Sequence, residues 1–139
     1  MSQNHLTDDV RINSLTELLP PIAHLYDLPI SEAAAELVVS TRKAIADILH
    51  HGDKRLLVII GPCSIHDHAQ AMEYARQLKV HADELGKDLL VLMRVYFEKP
   101  RTTVGWKGYI NDPHMDDSYA INDGLEMARA LLLDGLELG

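Results

Sequence analysis

The sequence predicts an α/β fold in which parallel strands alternate with helices. Three observations predict it. Leu56-Leu57-Val58-Ile59-Ile60 and Leu89-Leu90-Val91-Leu92-Met93 are continuously apolar, with no polar alternation. That is the pattern of parallel strands covered on both faces. A helix-periodic segment of about twenty residues joins them, the length a parallel crossover needs. The first run also ends in Gly61-Pro62, just ahead of that helical segment.

The elements follow in order. Residues 1–30 begin polar and then carry Pro20-Pro21 and Pro29, which start or stop short segments because proline fixes φ and removes a donor. They read as an arm outside the core. Ser31 to Leu49 reads as a helix: Ser31 is an N-cap, Glu32 and Glu36 suit its positive end, and Gly52 follows the last turn. Ala34, Leu37, Val38, Thr41, Ile45, Ile48 and Leu49 make its apolar stripe. His50 and His51 read as cations or donors at its C-terminus. After the first strand, Asp67 with Gln70 resembles a capping box opening a helix to Leu85, with Ala71, Ala75, Leu78, Ala82 and Leu85 inward and Gly86 as its stop. The second strand is expected to continue through Arg94-Val95-Tyr96-Phe97. Residues 98–121 form a long loop, of a length that usually carries function. A last helix is expected from about Asn122 as N-cap, burying Leu125, Ala128, Leu132 and Leu136, with Gly139 at a C-cap position. The chain divides into an arm and helix over 1–52 and two strand–helix units over 53–139. Such strands need neighbours on both sides, so the sequence reads as the opening portion of a larger α/β protein.

Composition narrows the function. Thirteen Lys and Arg against twenty-one Asp and Glu leave the 139 residues at a formal charge of -8. An acidic chain is repelled by phosphate backbones, which argues against a nucleic-acid partner. No apolar run approaches the roughly 20 residues of a membrane helix, and the start Met-Ser-Gln-Asn-His has no secretory pattern. One cysteine, Cys63, excludes an internal disulfide. The expectation is a cytoplasmic protein with no membrane association.

Ligands of parallel α/β sheets bind at the carboxyl ends of the strands. There the sequence places Gly61 to His66 and Arg94 to Lys107. Arg94, Lys99, Arg101 and Lys107 are four cations within fourteen residues of an acidic chain. Thr102 and Thr103 add hydroxyls. An unpaired guanidinium in an apolar strand is costly, so Arg94 is expected to meet an anion. Forked Arg donors and point-charge Lys suit phosphate and carboxylate groups; the alternative is pairing with the protein's own surplus carboxylates. A lone cysteine is commonly a buried small hydrophobe; Cys63 could instead be a metal thiolate or a nucleophile. Cys63, His66 and His68 together match no compact zinc spacing well. His81 and His114 read as an exposed helix residue and a loop residue, and Tyr96, Phe97 and Trp106 as packing or loop anchors.

Three stretches go further. Gly61-Pro62-Cys63-Ser64-Ile65-His66-Asp67, the run from Met93 through Arg94-Val95-Tyr96-Phe97-Glu98-Lys99-Pro100-Arg101-Thr102-Thr103-Val104-Gly105-Trp106-Lys107 to Gly108, and Ile110-Asn111-Asp112-Pro113-His114-Met115-Asp116 closely resemble the class I 3-deoxy-D-arabino-heptulosonate 7-phosphate (DAHP) synthases. The arm, with Asp8-Asp9-x-Arg11-Ile12 and Glu17-Leu18-Leu19-Pro20-Pro21, is most similar to the phenylalanine-regulated bacterial form. The resemblance implies the N-terminal part of a (β/α)8 TIM barrel, its first two strand–helix units. It implies condensation of phosphoenolpyruvate with erythrose 4-phosphate, the first step of the shikimate pathway, with a divalent metal such as manganese or iron. By resemblance Cys63 is a metal ligand, Arg94 holds phosphoenolpyruvate and Lys99 sits between the substrates. Arg101 and Thr102 hold the erythrose 4-phosphate phosphate, and Asp8, Asp9 and Ile12 contribute to an allosteric site for phenylalanine at an interface of a dimer or tetramer. A (β/α)8 barrel takes about 250 residues, so the 139-residue chain alone is expected to be inactive. The alternative is a noncatalytic binding or assembly module that pairs with other subunits.

Overall fold

A computed structural model of the chain describes residues 10–12, 14–99 and 104–139. Asp8, Asp9, Arg101 and Thr102 lie outside the described residues. The α/β class holds: β1 (Leu56–Ile60) and β2 (Leu89–Met93) form a two-stranded parallel sheet, in register from Leu56 opposite Leu89 to Ile60 opposite Met93. Between them runs α3 (His68–Leu85), and α4 (Ile121–Leu138) follows the long loop. Ahead of the sheet lie α1 (Pro21–Asp27) and α2 (Glu32–Ala46), the latter widening into a π-helical turn over Asp47–His51 before Gly52 at φ 89°.

The caps explain where these elements begin. The Ser31 side chain accepts from the Ala34 amide, and Asp67 accepts from the Gln70 amide at 2.7 Å, each satisfying a donor that the first helical turn leaves open. Pro21 occupies the first turn of α1, where its missing N–H costs nothing. The arm is therefore less irregular than expected, although α1 buries none of its residues. α4 differs from expectation. It starts at Ile121 after Ala120, and Asn122 does not cap it. The Asn122 amide instead reaches the arm, accepting from the Leu19 N–H and donating to the Glu17 carbonyl, both at 3.0 Å.

α3 packs on β2, α4 on α3, and α1 and α2 on α4. The densest packing joins Ile65, Ala71, Met72 and Leu131, with Val95, Phe97 and Leu138 closing around them. The expected stripes are corrected in detail. Met72 is buried and Leu85 is not; α4 buries Gly124, Ala128 and Leu131, leaving Leu132 exposed; Leu49 of the π-helical turn is also exposed. Gly124 sits on the buried side because a Cβ there would come within 2.1 Å of the Ile110 carbonyl oxygen.

Two expectations about the strands fail. β2 does not continue to Phe97. Arg94 N–H still donates to Ile60 O at 2.8 Å, but the neighbouring chain then turns through Gly61-Pro62, and Pro62 has no N–H to extend the ladder. The sheet is also not covered on both faces: among the described residues Ile59 stays 64% exposed, and Leu56 and Ile60 are exposed with it. No described helix is long and apolar enough to cross a membrane.

Candidate active site at the carboxyl ends of the strands

The turn after β1 and the segment after β2 interlock through their backbones. Ile65 N–H donates to Tyr96 O at 2.8 Å, and Tyr109 N–H donates to Phe97 O at 2.8 Å. Gly61 permits the closest approach; a Cβ there would stand 2.2 Å from the Arg94 carbonyl oxygen. Gly108, at φ +112°, pairs with Glu98 in an antiparallel bridge that doubles the loop back on itself. Trp106 anchors that loop by donating its indole N–H to Asp112 O at 2.6 Å, as its sequence context suggests. Beneath it the Phe97 and Tyr109 rings stack with centroids 5.8 Å apart.

These contacts bring three expected site residues together. Cys63 is exposed, which overturns the reading of a buried small hydrophobe. Lys99 Nζ lies 3.5 Å from Cys63 Sγ. Arg94 Nη1 donates to Pro62 O at 2.7 Å and to Cys63 O at 3.1 Å, and its Cζ lies 4.4 Å from the centroid of the Tyr96 ring. The alternative of pairing with the protein's own carboxylates is not what the described residues show for Arg94: carbonyl dipoles and a π-face satisfy one side of the guanidinium. Ser64 Oγ donates to Glu98 O at 3.2 Å, and the Glu98 carboxylate accepts from Asn111 Nδ2 at 2.9 Å rather than from a cation.

The electrostatics follow from where the acids go. Among the described residues, no carboxylate lies within salt-bridge distance of Arg94, Lys99 or Lys107. The ion pairs are Lys43–Asp47, His51–Asp47, Arg55–Asp53, His68–Asp134, Lys79–Asp83, His81–Glu84 and His114–Asp123. The carboxylates of these pairs lie away from Arg94, Lys99 and Lys107, a ledge of cations left without an acidic partner among the described residues. Burial, with a smaller contribution from Asp67, pushes the Tyr109 phenol up, so it remains protonated behind the ledge.

The zinc reading finds no geometry. His68 Nε2 pairs with Asp134 at 2.8 Å, and His66 packs edge-on to Trp106. No three His, Cys, Asp or Glu side chains converge among the described residues. Cys63 thus offers a single soft donor to a metal, and these residues do not complete a cation site. Ile12 is exposed. Sequence reasoning missed Tyr96 and Asn111 as partners of site residues. Tyr96 lies two residues from Arg94, a spacing that gave one signal for it; Asn111 depends on the loop closing back and gave none.

A parallel α/β segment with cation-bearing loops at its strand ends places the chain in the class of α/β proteins built from strand–helix units. The particular family is shown by comparison: residues 27–136 match the model of the DAHP synthetase I family, and the chain belongs to it. The chain is 60% identical over 131 residues to the Phe-sensitive phospho-2-dehydro-3-deoxyheptonate aldolase of Escherichia coli strain K12, covering 94% of this chain and 37% of that one. It is 47% identical over 137 residues to the tyrosine-inhibited aldolase of Schizosaccharomyces pombe, covering 99% and 37%. The solved structure of the Francisella tularensis aldolase superposes with a TM-score of 0.85 at 51% identity, over 90% of this chain and 37% of that one. The chain thus spans little more than a third of the length of these relatives.

Proposed function

We propose that the chain forms part of a 3-deoxy-7-phosphoheptulonate synthase, which joins phosphoenolpyruvate to erythrose 4-phosphate and releases phosphate. The observation that carries this reading is the ledge itself: Arg94 and Lys99, free of described carboxylates, converge on the turn that holds Cys63. Two phosphorylated substrates bring several negative charges, and fixed cations in a partly desolvated site stabilise charge without reorganising. In this reading Arg94 orients phosphoenolpyruvate and Lys99 stands between the substrates. Arg101 and Thr102, matched by motif, take the second phosphate. The carbon–carbon bond forms between the phosphoenolpyruvate methylene and the aldehyde carbon; water then adds at the enol carbon and phosphate leaves.

A divalent metal would supply Lewis-acid polarisation of the aldehyde, with Cys63 as one ligand. The described residues provide no complete ligand set for it. Around this site we place the finer features: a complete (β/α)8 barrel, a cytoplasmic location, an oligomer, and feedback by an amino acid. Asp8, Asp9 and Ile12 of the 1–52 arm and helix serve that feedback, as the regulated names of the relatives suggest.

Phosphoenolpyruvate binding to the chain, measured by titration calorimetry, tests the reading. Arg94→Ala and Lys99→Ala should each weaken it more than about tenfold, the scale of a hydrogen bond to a charged group. Equal affinity in all three proteins would overturn the assignment. The 139-residue chain incubated with both substrates and manganese should form no product.

A further inference from the structure

We propose that Tyr96 is a positioning residue: its ring clamps the Arg94 guanidinium so that the Nε–Nη2 edge is presented to an oxyanion. The inference rests on the function proposed above and extends it to a residue that has no role there. A guanidinium carries five donors in one plane. Arg94 spends its Nη1 edge on Pro62 O and Cys63 O, at 2.7 and 3.1 Å. Among the described residues Nε and Nη2 donate to nothing, and these two parallel N–H groups form the fork that suits a carboxylate or phosphate side-on.

Two carbonyls on one nitrogen fix one edge of the plane but leave it free to tip about that edge. The Tyr96 ring removes that freedom, because its centroid lies 4.4 Å from Arg94 Cζ and a cation prefers the electron-rich face. Tyr96 is itself held in place, since its carbonyl accepts from Ile65 N–H at 2.8 Å and Ile65 is buried in the core. The chain of support runs from core to backbone to ring to guanidinium. It ends at the turn that holds Cys63, where the Nη1 edge is anchored and where Lys99 Nζ also comes within 3.5 Å of Cys63 Sγ.

The test separates the electronic role of the ring from its bulk. Tyr96→Phe keeps the π-face, whereas a pentafluorinated phenylalanine at position 96 keeps the shape and withdraws the electron density. Both preserve packing, so each should fold, and a circular dichroism spectrum confirms it. Nitrogen-15 spectra of the arginine side chains report the clamp without any ligand, as ring-shifted Arg94 signals. Titration with phosphoenolpyruvate, and separately with inorganic phosphate, reports the presented edge and distinguishes recognition of the whole substrate from that of its phosphate.

The expected result is ring-shifted signals in the wild type and Tyr96→Phe, affinities for phosphoenolpyruvate within about twofold of each other, and roughly tenfold weaker binding for the fluorinated ring. Equal binding by all three proteins would overturn the positioning role while leaving the proposed function standing. Ring-shifted signals in a wild-type chain that takes up neither anion would overturn both, because a clamp that presents nothing positions nothing.

Discussion

Gly61 is the residue on which the site geometry turns. Its missing side chain lets two strand ends approach until a Cβ would stand 2.2 Å from the Arg94 carbonyl oxygen, a backbone atom that cannot swing aside. Gly61→Ala should therefore cost at least about 2–3 kcal/mol, as overpacking against fixed atoms does, and urea unfolding with an unchanged m-value would check it. Asp53 makes a second prediction. Its carboxylate takes Arg55 Nε and Nη2 at 3.1 and 2.8 Å and also the Arg55 amide, so the guanidinium and backbone donor hold the carboxyl below the usual Asp range. A depressed folded value means that the stabilisation is complete above the unfolded pKa of about 4. It is lost as the pH falls through the lower folded value. Asp53→Asn should flatten that acid limb, seen as a urea midpoint less sensitive to pH between about 5 and 2.

At the scale of elements, the caps and the loop hold the interest. Asp67→Ala should cost about 1 kcal/mol by opening the first turn of α3, read from the thermal midpoint. Asn122 grips residues 17 and 19 with both ends of its amide. Asn122→Ala should therefore lower the hydrogen-exchange protection of the Leu19 amide roughly fivefold, for about 1 kcal/mol of lost hydrogen bonding. Much of this level was legible in the sequence. The two apolar pentads matched β1 and β2 residue for residue, and Ser31 and Asp67 announced their helices. The face of α4 was not legible, because Leu125, Leu131, Leu132, Leu133 and Leu136 crowd the helix from several sides, and packing against α3 and α2 together with the Gly124–Ile110 contact selects among them. Nor was the fate of Arg94: its carbonyl partners come from a turn about thirty residues away, which no local pattern reveals. Cys63, Arg94 and Lys99 were legible as a group by motif, whereas their mutual distances were not.

For the molecule as a whole, the sheet is the exposed account. Leu56, Ile59 and Ile60 turn apolar surface to solvent on a strand pair whose outer edges carry no ladder partner among the described residues. Surfaces of this kind associate. The purified chain should show a light-scattering mass that rises with concentration, and Ile59→Lys should suppress the rise without lowering helix content.

The grip of Asn122 on the arm has a consequence through its neighbour two residues on. Gly124 nests directly on the Ile110 backbone, so the first turn of α4 touches the leading segment with one residue and the cation-bearing loop with the next. Both contacts fall within one helical turn, so a substitution that displaces that turn, such as Gly124→Val, should disturb the leading segment and the loop together.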